Sequence, residues 1–123
     1  MVAPCRRRGR GCVMTEHDVS QAAFSTQAWR SGAAASWGDH ADRLEAMIEP
    51  VLVLLFEAAA LELGEAVLDL GCGRGVTTHE AARRVGSGGR VVAVDVAANL
   101  IETARAVPLS PGAAPIEWIV DDA

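Results

Sequence analysis

Between residues 40 and 63 (HADRLEAMIEPVLVLLFEAAALEL) the apolar positions Leu44, Met47, Ile48, Val51, Leu52 and Leu55 recur every three to four residues. That spacing predicts a helix with one buried face. Pro50 falls inside the pattern, where it either opens a second helix at its first turn or kinks one long helix. Gly64 is the expected stop. The period then changes. EAVLDLG (65–71) is a short apolar run of the kind that forms a buried parallel strand. TTHEAARRV (77–85) has helical composition, and GSGG (86–89) is a turn. RVVAVD (90–95) is a second strand, rich in valine and closed by an acid. AANLIETARA (97–106) is a second such helix, with Leu100, Ile101 and Ala104 on one side. VPLSPGAAP (107–115) is a proline-broken connection, and IEWIV (116–120) is a third strand before Asp121 and Asp122.

Strands alternating with helices predict an α/β fold built on a parallel sheet with right-handed crossovers. Ligands of such sheets sit outside the C-terminal ends of the strands. The distinctive polar residues fall there: the Gly71–Gly75 loop, Asp95, and Asp121 with Asp122. Upstream, residues 15–38 are small and polar, with Phe24, Trp29 and Trp37 standing out. They read as loose helix or an ordered cap. The chain therefore divides into an N-terminal segment, 1–38, expected to be partly disordered, and a folded unit, 39–123.

Composition narrows the class. The chain has 123 residues, half of them apolar and 22% charged, which suits one soluble globular domain. All eleven cations are arginine. Four of them lie in residues 1–13, leaving seven against sixteen acids in the remainder. An acidic body argues against nucleic-acid binding through the phosphate backbone. Met14 opens MTEHDVS, which reads as an ordinary protein start and raises the expectation that residues 1–13 lie outside the natural product. Cys5, Cys12 and Cys72 have no metal-ligand spacing and fit a reducing compartment. The arginine-rich N-terminus lacks the apolar core of a signal peptide. VLVLLF (51–56) ends at Glu57, far too short to span a bilayer. A cytoplasmic protein without metal or membrane partner is expected.

The candidate chemistry lies in VLDLGCGRG (67–75), where three glycines follow an acid at every second position. Glycine admits torsions closed to other residues and lets a ligand touch the main chain. A strand-to-helix loop also presents free amide N–H groups. Asp95, twenty residues past Gly75, is placed to accept from vicinal ribose hydroxyls. A dinucleotide loop needs G-x-G-x-x-G, but Val76 stands where its third glycine belongs. Asp69 lies within the apolar strand, where an acid is costly unless paired. It pairs with Arg74 or a backbone amide, orients the loop, or faces a cationic ligand.

VLDLGCGRG resembles the first motif of class I S-adenosylmethionine-dependent methyltransferases, and the tone is that of the ubiquinone/menaquinone-biosynthesis type. RVVAVDVAANLIETARA resembles their second motif and IEWIVDDA their third, so the resemblance covers about residues 40–123. It implies a Rossmann-like sheet with helices on both faces, here truncated after the third of seven strands. It implies S-adenosyl-L-methionine as cofactor and a small-molecule methyl acceptor. Carried onto this chain, Gly71, Gly73 and Gly75, with Cys72 between them, would approach the cofactor. Asp69 would bind its amino group, Asp95 the ribose hydroxyls, Val96 the adenine face and Asp122 the adenine amino group, with a backbone contact at Ala123. No catalytic residue is implied. The family triplet's glycine is Asp121 here, and the residue that often caps the second helix is Ala97. Trp37 is a candidate to close over the cofactor, or simply packs. A chain ending at strand three leaves strand one with an unpaired edge, open to self-association. The alternatives are a non-catalytic S-adenosylmethionine- or nucleoside-binding module and an interaction fragment.

Overall fold

The computed structural model describes residues 26–30 and 41–122. The expectations for residues 1–25, for Trp37 and for Ala123 lie outside the described residues. One helical turn (Thr26–Ala28) precedes α1 (Ala41–Ala59), β1 (Ala66–Leu70), α2 (Val76–Val85), β2 (Arg90–Asp95), α3 (Ala98–Arg105) and β3 (Ile116–Val120). The three strands form one parallel sheet in the order β1-β2-β3, as the alternating pattern requires.

Register fixes which residues share a face. Val67 lies beside Val91 and Asp69 beside Ala93. Val91 lies beside Ile116, Ala93 beside Trp118 and Asp95 beside Val120. Helix α2 places Ala81, Ala82 and Val85 against Val91, with Val67 and Ile116 packed around them. Helix α3 places Ile101 against Ala93 and Cys72, with Ile116 and Trp118 alongside. Both crossover helices thus cover the same face. The physical reason is the strand order: two right-handed crossovers advancing in one direction must lie on one side of the sheet. The family resemblance implied helices on both faces, but among the described residues the opposite face carries none. Leu68 and Leu70 stand there, 60% and 58% exposed. β1 pairs only with β2, so its outer edge is free among the described residues.

Helix α1 departs from its expected burial. It runs unbroken through Pro50. Met47, Val51 and Leu54 are 69%, 61% and 65% exposed, and Ile48 and Leu55 are also exposed, so the expected buried stripe faces outward. Phe56 is the buried contact, packed on Ala81, Ala82 and Val85 with the Arg84 guanidinium 4.6 Å from its ring centre. The helix also ends earlier than Gly64 predicts. Ala60 takes a left-handed φ of 47°, and its N–H donates to the Phe56 carbonyl at 3.2 Å. An alanine here performs the turn that glycine usually performs at a helix end.

Gly75 explains how α2 and α3 come close. A Cβ on it would lie 2.7 Å from the Trp118 ring and 2.9 Å from the Ala104 Cβ. His79, one turn further along α2, donates from Nε2 to the Ala104 carbonyl at 3.0 Å and stacks obliquely on Trp118, centroids 5.6 Å apart. His79 is therefore a packed residue that bonds α2 to α3. On the outer side of α2, Glu80 accepts from both Arg83 and Arg84. The Arg83 hydrogen bond, aided by Arg84, holds the Glu80 carboxyl down at about 2.

Candidate functional site

The loop from Gly71 to Gly75 leaves the C-terminal end of β1 and turns into α2. Its amides are mostly spent within the protein. The N–H groups of Gly71 and Cys72 both donate to the Val94 carbonyl, at 2.8 and 3.1 Å, and Gly75 donates to the Cys72 carbonyl at 2.8 Å. The Gly73 N–H donates to Asp95 Oδ2 at 2.7 Å. The sequence suggested a bed of free amides for an anion. Four of the five loop amides instead clasp the loop to β2 and to itself. What the loop does offer is space: a Cβ on Gly71 or Gly73, which have φ of 72° and 52°, would meet nothing within 4 Å. Gly71 and Gly73 therefore fit a surface that a ligand approaches. Gly75 serves helix packing.

Asp95 ties two loops together. While Oδ2 receives the Gly73 amide, Oδ1 receives the Ala97 amide at 2.8 Å. The second bond fixes the Ala97 amide at the entrance to α3, whose start has no side-chain cap. The carboxylate remains half-buried and keeps further lone pairs for hydroxyl donors. Val96 beside it is half-buried.

Asp69 is paired by hydroxyls. Thr77 Oγ1 and Thr78 Oγ1 both donate to its Oδ2, at 2.7 and 2.6 Å. Sequence inspection did not single out these threonines; the signal was present in two hydroxyls at the first turn of a helix that follows an acid-bearing strand. Asp69 and Asp95 both act on Cys72, which is buried. Burial first, and then the negative charges of Asp69 and Asp95, push its thiol up to about 12. The two acids thus share one neighbourhood, around the glycine loop.

At the end of β3, Asp121 donates its N–H to the Asp95 carbonyl at 3.1 Å, and its Oδ1 accepts the Asp122 N–H at 2.8 Å. The aspartate in the glycine position therefore orients its neighbour's backbone. Asp122 lies exposed, with Arg30 Nη2 3.9 Å from its Oδ2. Trp29, just before Arg30, packs on Ala97 and Leu100 at the start of α3. The described part of the N-terminal segment thus reaches the strand ends through Trp29, which the sequence left undistinguished from Phe24 and Trp37.

The site is acceptor-rich: four carboxylates at three strand ends, beside a loop whose amides are committed. That suits a ligand carrying cationic groups and hydroxyls better than a pyrophosphate. An open groove of about 660 Å³ lies elsewhere, between α1 and the outer sides of α2 and α3, and is lined by Leu52, Val53, Phe56, Arg74, Val76 and Thr103 among others. None of Asp69, Asp95 or Asp122 lines it. Among the described residues, no group of His, Cys, Asp or Glu is arranged to hold a metal ion, and no helix is long and apolar enough to cross a membrane.

Part of the chain is similar to known methyltransferases. Residues 61–115 match a family described as a methyltransferase domain. The chain is 47% identical over 60 residues to aklanonic acid methyltransferase DauC of Streptomyces sp. (strain C5), covering 49% of this chain and 27% of that protein. It is 55% identical over 42 residues to 2-phytyl-1,4-naphtoquinone methyltransferase of Trichormus variabilis, covering 34% of this chain and 18% of that one. Among solved structures, an arsenic(III) S-adenosylmethionine methyltransferase of Chlamydomonas reinhardtii is 33% identical, with a TM-score of 0.42, over 46% of this chain and 21% of its own. The matched segment thus spans about a quarter or less of the length of these curated relatives.

Proposed function

We propose that this chain carries part of a class I S-adenosylmethionine-dependent methyltransferase domain, and that its strand ends hold S-adenosyl-L-methionine for methyl transfer to a small-molecule acceptor. The observation that carries the reading is the pairing of two carboxylates, Asp69 and Asp95, around a loop with open space above Gly71 and Gly73 and few amides to spare. The ligand needs partners for an ammonium, a sulfonium, a ribose diol and an adenine, and no cradle for a pyrophosphate.

In this reading Asp69 takes the amino group and Asp95 the ribose hydroxyls. Val96 flanks the adenine, Asp122 accepts from its amino group, and Ala123 offers a backbone contact. Cys72 supports the loop from beneath. It is no nucleophile, because its thiol stays protonated far above neutral pH. When bound, S-adenosylmethionine supplies an electrophilic methyl group, and the chain's contribution is to fix its direction. Methyl transfer is an in-line displacement that depends on such positioning and on exclusion of water. The acceptor reading rests on relatives whose names specify small molecules, aklanonic acid and 2-phytyl-1,4-naphtoquinone. Residues 39–123 then form the cofactor-binding half of the domain, and residues 1–38 a separate segment.

Calorimetric titration of S-adenosylmethionine into the chain and into Asp95→Ala tests this. We expect micromolar-to-millimolar binding by the unsubstituted chain, weakened about tenfold or more by the substitution, the worth of hydrogen bonds to a charged acceptor. Circular dichroism on the variant checks that it keeps its helices. Equal affinity for both proteins overturns the ribose contact.

One observation favours a second reading. The face carrying Leu68 and Leu70 and the β1 edge, unpaired among the described residues, suit an interaction fragment that completes its sheet with another chain or a second copy. A folded chain that fails to bind the cofactor supports that reading over the first.

A further inference from the structure

We propose that Thr77 and Thr78 are positioning residues that clamp one oxygen of Asp69 so that the other is presented to the ammonium group of the ligand. The proposal rests on the cofactor reading above and deepens it. Asp69 lies on the helix-covered face of the sheet, beside the fully buried Ala93. A carboxylate on that face needs donors, and it finds them in the first turn of α2. Adjacent residues of a helix point about 100° apart. Two such side chains reach one oxygen only if that oxygen sits over the start of the helix. There it also meets the favourable end of the helix dipole.

The division of labour within the carboxylate follows from its lone pairs. Each oxygen accepts about two hydrogen bonds. Oδ2 receives both hydroxyls, at 2.7 and 2.6 Å, and is saturated. Neither hydroxyl reaches Oδ1, and among the described residues no hydrogen bond occupies that oxygen, which leaves it to a ligand donor. A group with several N–H donors and a positive charge is its natural complement; a neutral hydroxyl gains less from it. Thr78 is fully buried and Thr77 half-buried, so the clamp is anchored from within the helix layer. It holds Asp69 in one rotamer through neutral hydroxyls, which leave its charge in place. A salt bridge at this position would neutralise the charge that the ligand's ammonium is to meet.

The test separates the ammonium from the rest of the ligand. S-adenosylmethionine carries that group; 5′-methylthioadenosine keeps the nucleoside but lacks the amino-acid arm. Both are titrated calorimetrically into the full chain and into Thr77→Val, Thr77→Ser and Thr78→Ser. Thr77→Val is expected to weaken S-adenosylmethionine about tenfold and to leave methylthioadenosine within about twofold, as loss of one bond to a charged group requires. The serine variants keep the hydroxyl and should retain near-parental affinity for both. Equal weakening of both ligands by Thr77→Val, or none for S-adenosylmethionine, overturns the clamp while the cofactor reading stands. An unsubstituted chain that binds neither ligand overturns the cofactor reading and the clamp with it. Thermal unfolding of each variant, compared with the parent, excludes a folding defect as the cause.

Discussion

Single residues in this protein hold roles that their neighbours in sequence do not reveal. Asp95 is a ribose candidate by position, yet it also bonds Gly73 and Ala97 and so sets the relative placement of two loops. Asp69, an acid in an apolar strand, is explained by two hydroxyls. Cys72 is the reverse case, a thiol between two acids with nothing to activate it. Its thiolate forms only as pH rises towards about 12, and a folded chain should resist alkylation at pH 8. Peptide-resolved mass spectrometry after iodoacetamide treatment checks this: Cys72 should stay unmodified in the native chain and react in denaturant. Fast labelling of Cys72 in the folded state would contradict the burial described here.

At the scale of elements, the three glycines of the loop divide into two kinds. Gly71 and Gly73 have left-handed torsions with open space beside them, whereas Gly75 has a left-handed φ of 81° and neighbours at 2.7 and 2.9 Å. Gly75→Ala should therefore push α2 away from α3 and Trp118 and cost about 1–3 kcal/mol or more, the range for overpacking. Gly73→Ala carries backbone strain of about 1 kcal/mol without a clash, so its larger effect should fall on cofactor affinity. Chemical denaturation paired with ligand titration on both variants measures the contrast, and a Gly75→Ala protein as stable as the parent would refute it. The order and type of β1, α2, β2, α3 and β3 were legible in the sequence within a residue or so at each end. Each has an apolar run or period of the right length, and each is closed by a glycine, a nearby proline or, for β2 and β3, an aspartate. Helix α1 was legible as a helix and misleading as a buried one. Its period fixes which residues share a stripe, but not whether anything lies against that stripe.

At the scale of the whole molecule, the described helices α2 and α3 cover one face of the sheet. Among the described residues, an apolar sheet face with Leu68 and Leu70 more than half exposed, a β1 edge without a partner strand, and an α1 stripe of exposed aliphatics leave more apolar surface open than a monomer usually tolerates. The 123-residue chain should associate as its concentration rises. Sedimentation velocity over a concentration series should show species larger than a monomer, and Leu68→Glu with Leu70→Glu should shift the distribution back towards monomer. A parent chain that stays monomeric throughout would show that this face is protected.

The sequence by itself determined the alternation of strands and helices, the parallel sheet, and the gathering of acids and glycines at strand ends. These depend on local period, turn residues and the direction of the chain, which are written consecutively. Only the tertiary structure decided which loop amides were already spent, that Gly75 packs helices while Gly71 and Gly73 face open space, and that Thr77 and Thr78 hold Asp69. It also decided that α2 and α3 share one face. Each of those outcomes is a distance between residues set by the folding of one element on another, and no period along the chain encodes it.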